Sequence, residues 1–305
     1  MYAATPKEKK MEGYEYYLID VFTDRVFSGN PLAVFPKAEG IDTGTMQAIA
    51  NELNLSETVF VGRASSPERY PIRIFTPNME LPFAGHPTVG TAHLLAELGM
   101  ALRDRPLTLD AGVGPLIVAY DKNLTRFTVA APIHIQTSTL EKVTAAQLLG
   151  LEPEEVASKP VLASCGLPYH LIELGSLKAL GRVQLSPSIW SENISPSGCD
   201  QIYLYVAENA SSAESVLRAR MFCSEGGQRE DPATGSAAAA LVGMLAVDEK
   251  TPGSRRWKIS QGIEMNRPSL IFAETEYNHN NLAIHIAGQA VIVGTGIIGS
   301  AKKSR

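Results

Sequence analysis

Phe83-Ala84-Gly85-His86-Pro87-Thr88-Val89-Gly90 and Glu230-Asp231-Pro232-Ala233-Thr234-Gly235-Ser236-Ala237 decide how this chain is read. Each is a short turn of small residues between an extended segment and a run composed like a buried helix. Gly, Ala and Ser let a ligand approach the backbone closely. Pro87 suits the first position of a helix, where a missing N–H costs nothing. The first N–H groups of a helix have no partner within it and carry the positive end of its dipole. A carboxylate is a natural occupant of such a place. One turn of this kind is explained as readily by tight helix–sheet packing. Two matching turns ahead of two buried helices point to one pocket with backbone N–H walls.

The segments around the turns support that symmetry. Thr88–Leu98 is apolar or small nearly all round, as a helix buried on most sides must be, and Gly99 is placed to cap it. Ser236–Leu245 carries four consecutive alanines and then Leu241, Val242, Met244 and Leu245. Strands precede and follow each run: Tyr16–Phe22, Leu32–Phe35, Leu55–Val61 and Tyr70–Phe75 before the first, Leu116–Tyr120 and Phe127–Ala130 after it. Met46, Ile49, Ala50 and Leu53 form one apolar stripe, so 43–54 is a helix, and Thr144–Leu149 is a shorter one. Tyr203–Val206 and Arg218–Phe222 lead to the second turn. Strands near Ile259, Leu270–Ala273, Leu282–Ile286 and Ala290–Val293 follow it. This weak internal repeat predicts an α+β protein of two similar domains, each a curved, mostly antiparallel sheet around a central helix. The expected division is a loose tail over 1–13, an N-terminal domain over 14–132 and a C-terminal domain over 133–287. The final strand, 288–300, is expected to return to the first domain.

Bulk properties narrow the partners. The chain has 305 residues with 45% hydrophobic and 19% charged content, which suits globular domains with real cores. A formal net charge of −5 gives no nucleic-acid footprint. No window reaches the roughly 20 apolar residues of a membrane-spanning helix. Met1–Gly13 has lysines but no apolar stretch after them, so it is not a secretory signal, and the cytoplasm is the expected compartment. Cys165, Cys199 and Cys223 lack the spacing of a zinc site or a disulfide framework.

Three residues carry candidate chemistry. His86 sits inside the first turn and is either a histidine bonded to backbone or a proton carrier. Glu57 opens the strand Thr58-Val59-Phe60-Val61. If partly buried there it is a useful base near neutral pH; the alternative is the solvent face. Asp231 is either a helix N-cap or part of the same site. Arg229 and Glu230 are expected on loop surface. Gly294-Thr295-Gly296-Ile297-Ile298-Gly299 spells a dinucleotide fingerprint, but no helix, second strand or acidic residue follows it at the required distance, so it is rejected.

Several motifs together resemble the phenazine-biosynthesis PhzF-like family. They are Tyr17-Leu18-Ile19-Asp20-Val21-Phe22, Gly29-Asn30-Pro31-Leu32-Ala33-Val34-Phe35, Asn54-Leu55-Ser56-Glu57-Thr58, Arg73-Ile74-Phe75-Thr76-Pro77, the two turns, and Gln261-Gly262-Ile263-Glu264-Met265-Asn266-Arg267-Pro268-Ser269. They run in order across residues 16 to 298. The resemblance implies the diaminopimelate epimerase-like fold with its site in the cleft between domains, a homodimer and no cofactor. It implies an isomerase of dihydro-hydroxyanthranilate type, moving a proton between carbons of a small cyclic carboxylate. It implies that Glu57 is the general acid/base, that His86 and Asp231 support proton transfer and binding, and that Gly85, Gly235 and Ser236 hold the substrate. Related racemases and epimerases of this fold carry one cysteine in each turn. Here Ala84 and Ala233 occupy those positions and cannot supply a thiolate. Two alternatives remain at this level: another proton-transfer enzyme (a tautomerase, epimerase or cyclase), or a small-molecule-binding protein without catalysis.

Overall fold

The computed structural model describes residues 13–129, 131–210, 214–224, 229–249, 253–278 and 281–300. Apart from Gly13, the segment expected as a loose tail lies outside them, as does Ala130.

The first half runs β1 (Gly13–Val21), β2 (Asn30–Phe35), α1 (Thr43–Leu53), β3 (Glu57–Val61), β4 (Arg69–Phe75) and β5 (Glu80–Leu81). Then come α2 (Gly85–Glu97), β6 (Leu107–Ala111), β7 (Gly114–Asp121) and β8 (Leu124–Thr128). The second half begins with β9 (His134–Thr137), α3 (Lys142–Leu149), β10 (Val161–Ser164), β11 (Pro168–Glu173), α4 (Leu177–Arg182) and α5 (Pro187–Ile189). It continues with β12 (Gln201–Ala210), β13 (Glu214–Cys223), β14 (Arg229–Asp231) and α6 (Gly235–Glu249). It ends with β15 (Gly253–Gln261), β16 (Ser269–Asn278), β17 (Asn281–Gly288) and β18 (Ala290–Gly299).

The repeat expected from sequence extends to the pairing of every strand. In the first half β1 is antiparallel to β2, β2 parallel to β3, β3 antiparallel to β4 and β4 parallel to β6, and β6, β7 and β8 form an antiparallel meander. In the second half β10, β11, β12, β13 and β15 to β17 follow the same order with the same directions. The short strands β5 and β14 lie on β4 and β13, each directly before its buried helix. β8 and β17 pair with one another and join the halves. The flanking strands are exchanged: β9, made after the first meander, pairs with β10, while β18, made after the second, pairs with β1.

Each sheet wraps its own helix because that helix is apolar all round. Val89, Ala92, Leu94 and Leu95 of α2 are fully buried, as are Ala237, Ala238, Ala240, Leu241 and Val242 of α6. Each leucine so buried stabilises by roughly 2 kcal/mol. Gly90 permits the close contact of α2 with its sheet: a Cβ there would lie 2.6 Å from Leu32 Cδ2 and 2.7 Å from Val21 Cγ2. α2 ends as its sequence suggests. Gly99, at φ 67°, donates to the Ala96 carbonyl, and Met100 N–H reaches the Leu95 carbonyl, a Schellman closure. Its start differs from expectation. The helix begins at Gly85, so Pro87 is its third residue, still within the turn whose N–H groups lack helical acceptors. α1 is capped by Asp42, whose carboxylate accepts from Thr45 N–H at 3.0 Å, and it buries Met46, Ile49 and Ala50.

β9, β10 and β11 have no clear sequence signature. All four β9 residues are exposed, and Pro168 opens β11. No helix among the described residues is long and apolar enough to cross a membrane.

Candidate active site

The two helix starts touch. A Cβ built on Gly85 would lie 3.3 Å from Gly235 Cα and 3.3 Å from Ser236 N, so only hydrogen fits comfortably at this contact. Ala84, the N-cap of α2, supplies no side-chain capping bond. The first N–H groups of that helix are therefore left for a ligand. Phe22 seals the back of the junction. It is fully buried, with its ring Cζ at 3.2 Å from the position of a Gly235 Cβ. In front lies a cleft of about 400 Å³ whose lining includes Glu57, Gly85, His86, Asp231, Gly235 and Ser236. All six residues singled out in the sequence thus meet in one place, drawn from β3, α2, β14 and α6.

Glu57 stands at the first position of β3 and is 16% exposed, so the partly buried alternative is the one adopted. Its Oε2 has no solvent access and lies 3.3 Å from His86 Nε2. His86 is 5% exposed, and burial pulls its imidazole down to about 3. It is a neutral ring at any ordinary pH. The Asn30 amide nitrogen lies 3.4 Å from His86 Nδ1 and also donates to Asp231 Oδ1 and to the Ala233 carbonyl, each at 2.9 Å. Those two oxygen acceptors fix which end of the amide is nitrogen. A second hydrogen between that nitrogen and Nδ1 would repel, which favours the imidazole proton on Nε2; Nε2 and Glu57 Oε2 lie 3.3 Å apart without forming a hydrogen bond in this structure.

Asp231 closes the same network from the other half. Burial pushes its carboxyl up to about 6, although hydrogen bonds from Thr234, Asn30 and Ser56 and the charge on Arg229 all work to lower it. Gln261 braces the turn: its amide donates to the Asp231 carbonyl at 2.8 Å and to Thr234 Oγ1 at 3.0 Å. Its oxygen accepts from Thr234 N–H and from the Tyr203 hydroxyl. Ser236 Oγ lies 2.7 Å from the Tyr169 hydroxyl.

Asn30, Gln261 and Tyr169 join the site without being expected there from sequence. Asn30 and Gln261 lie inside motifs quoted for the family resemblance, which was a usable signal. Tyr169 stands in an unremarkable strand and gave none. Glu230 corrects the expectation of loop surface. It is 15% exposed and takes a two-pronged bond from Arg220, at 2.8 Å to each carboxylate oxygen, because β14 places it against β13.

The cysteines do not form a pair. Cys165 and Cys199 are buried, and burial pushes the Cys165 thiol up to about 12. Cys223 lines the cleft a few residues upstream of the second turn and in neither turn. No cluster of His, Cys, Asp and Glu suited to a metal ion occurs among the described residues. The cleft thus offers one carboxylate beside a neutral imidazole, a second carboxyl pushed up to about 6 by burial, and two helix N-termini.

A family model described as phenazine biosynthesis-like protein matches residues 19–296. An uncharacterized isomerase of Mesorhizobium japonicum is 40% identical over 303 residues, covering 94% of this chain and 99% of that protein. The trans-2,3-dihydro-3-hydroxyanthranilate isomerase of Pseudomonas chlororaphis is 33% identical over 291 residues, covering 93% and 99%. The crystal structure of the Bacillus anthracis phenazine biosynthesis protein of the PhzF family superimposes with a TM-score of 0.85 at 24% identity, covering 94% of this chain and 99% of that one. That likeness shows the fold.

Proposed function

Since this chain belongs to the phenazine biosynthesis-like (PhzF) family of isomerases, we propose that it moves a proton between carbons of a small cyclic carboxylate, with Glu57 as the acid/base. The observation that carries this reading is the Glu57–His86 pair at 3.3 Å beside the touching starts of α2 and α6. The substrate carboxylate docks on the N–H groups at Gly85 and Gly235 and on the Ser236 hydroxyl. Glu57, which lines the cleft, removes an acidic C–H proton. The negative charge that develops is stabilised by the same helix ends, which need no reorganisation when the charge appears. The protonated Glu57 then returns the proton to another carbon. One carboxylate serving both carbons makes the transfer suprafacial. His86, with Nε2 3.3 Å from Oε2, stands beside the base as a neutral ring and does not take the proton. Asp231 holds Asn30, and through it the imidazole, in place. The chemistry so written uses no cofactor. The family likeness also supports a cytoplasmic homodimer, which light scattering on the purified protein would test.

The substrate of the Pseudomonas relative, trans-2,3-dihydro-3-hydroxyanthranilate, is the first compound to test. Turnover in deuterated water should incorporate deuterium at the carbon that is reprotonated. Glu57→Gln should reduce that rate by about two to four orders of magnitude, the usual worth of a positioned acid/base. Undiminished incorporation by the variant would remove Glu57 from the role.

A further inference from the structure

Tyr169 lies on β11 and lines the cleft beside the start of α6, where its phenol meets the Ser236 hydroxyl. The side chain is 1% exposed. Burial pushes its ionisation well above the ordinary tyrosine range, and the nearby Asp231 and Glu57 carboxylates push the same way. The phenol therefore stays protonated. A buried O–H needs an acceptor, and the Ser236 oxygen at 2.7 Å is positioned to be that acceptor. Once Ser236 Oγ accepts from Tyr169, its own hydrogen must turn elsewhere. Ser236 is half-buried at the mouth of the cleft, in the first turn of α6, and the open direction is the one a ligand occupies.

We propose that Tyr169 is a positioning residue that holds Ser236 as a hydrogen-bond donor to the bound ligand, so that the cleft selects a carboxylate over a neutral group of the same shape. This rests on the reading of the cleft as a carboxylate site and adds a source of its selectivity. The two helix ends attract negative charge over a broad region. The Tyr169–Ser236 pair adds direction, because a hydroxyl locked as donor favours an acceptor-only carboxylate oxygen. A carboxamide presents an NH₂ where the carboxylate presents its second oxygen, and gains nothing from a donor there. Without the phenol, Ser236 can rotate and serve either group.

The test uses two probes of nearly identical shape: anthranilate and its neutral amide, 2-aminobenzamide. Binding of each is measured by calorimetry to the wild type, Tyr169→Phe, Ser236→Ala and the double variant. The wild type should prefer anthranilate. Tyr169→Phe should weaken anthranilate about five- to tenfold, the worth of one oriented bond to a charged group, and leave the amide within about twofold. A purely structural role would weaken both probes alike. Ser236→Ala should reproduce the loss, and the double variant should add little to it, because the two residues act through one bond. Tyr169→Phe that retains the full wild-type preference for anthranilate overturns the proposal alone. Wild type with no preference for anthranilate overturns the carboxylate reading of the cleft and this proposal with it. Ser236→Ala supplies the decision should Tyr169→Phe fold poorly: an unchanged preference in that variant also overturns it.

Discussion

Charge buried at Asp231 governs how the fold responds to pH, and Asp231→Asn isolates the effect. Burial raises this carboxyl from 3.8 to about 6. A group that holds its proton more tightly folded than unfolded stabilises the fold while protonated. Its contribution is fully present below its unfolded value of 3.8 and is lost as pH rises through about 6. About two units at 1.36 kcal/mol each amount to about 3 kcal/mol. His86 works in the opposite sense. Burial draws it from 6.5 to about 3, so between those values the folded protein binds fewer protons than the unfolded chain. Stability from that source falls as pH drops below 6.5. Between about pH 4 and pH 6 the two slopes oppose one another, and the wild-type profile conceals both. Asparagine at 231 can still accept from Asn30 through Oδ1 and donate through Nδ2 to Thr234 Oγ1, so the network keeps its geometry. Urea unfolding of both proteins from about pH 4 to about pH 7 gives the difference in stability, wild type minus variant. That difference should fall by about 2 kcal/mol across the interval, and the variant alone should lose stability on acidification more steeply than the wild type. Parallel profiles for the two proteins would refute the assignment of a raised ionisation to Asp231.

Two other perturbations follow from the same geometry. Asn30→Ala removes the donors to Asp231 Oδ1 and the Ala233 carbonyl; denaturant unfolding at neutral pH should show a loss of about 2–4 kcal/mol. The Asp231 carboxyl should also move further up, since Asn30 is one of the groups lowering it, and the pH interval of the stability change should move with it. Gly85→Ala places a methyl 3.3 Å from Gly235 Cα and from Ser236 N. The two helix ends must then part by a few tenths of an ångström, at a stability cost of about 1 kcal/mol. Anthranilate binding, followed by calorimetry, should weaken about tenfold because the N–H groups no longer converge on one carboxylate.

The parts of the site legible in sequence are those that impose a local rule. Gly85 and Gly235 must be glycine for the helix starts to meet, and such residues ahead of a wholly apolar helix can be read directly. Glu57 is a carboxylate heading an otherwise buried strand, and that conflict between charge and burial is visible in five residues. Asn30 is different. Its importance lies in bonds to Asp231 and Ala233, about two hundred positions away, which the chemistry of its own turn does not announce and only the shared family motif marks. The same holds for Tyr169, which faces Ser236 across 67 positions. Glu230 reads as loop surface because it is charged and sits in a turn; Arg220, on the adjacent strand, is what allows its burial. The strands β9 and β10 were hidden for a related reason, since a four-residue strand is defined by its neighbour more than by its own alternation.

The exchange of β9 and β18 has a consequence for how the molecule comes together and comes apart. Gly13 pairs with Gly299 at one end of the protein, so the first sheet stays one strand short until nearly the whole chain is available. Closing so long a loop is slow. In the interval the open edge of β1 awaits a segment, Ala290 to Gly299, that contains no charge and no proline. A chain severed between β8 and β9 would leave that segment hanging from the second fragment as an aggregation-prone edge. The first half is therefore completed only by β18, a strand made after the second.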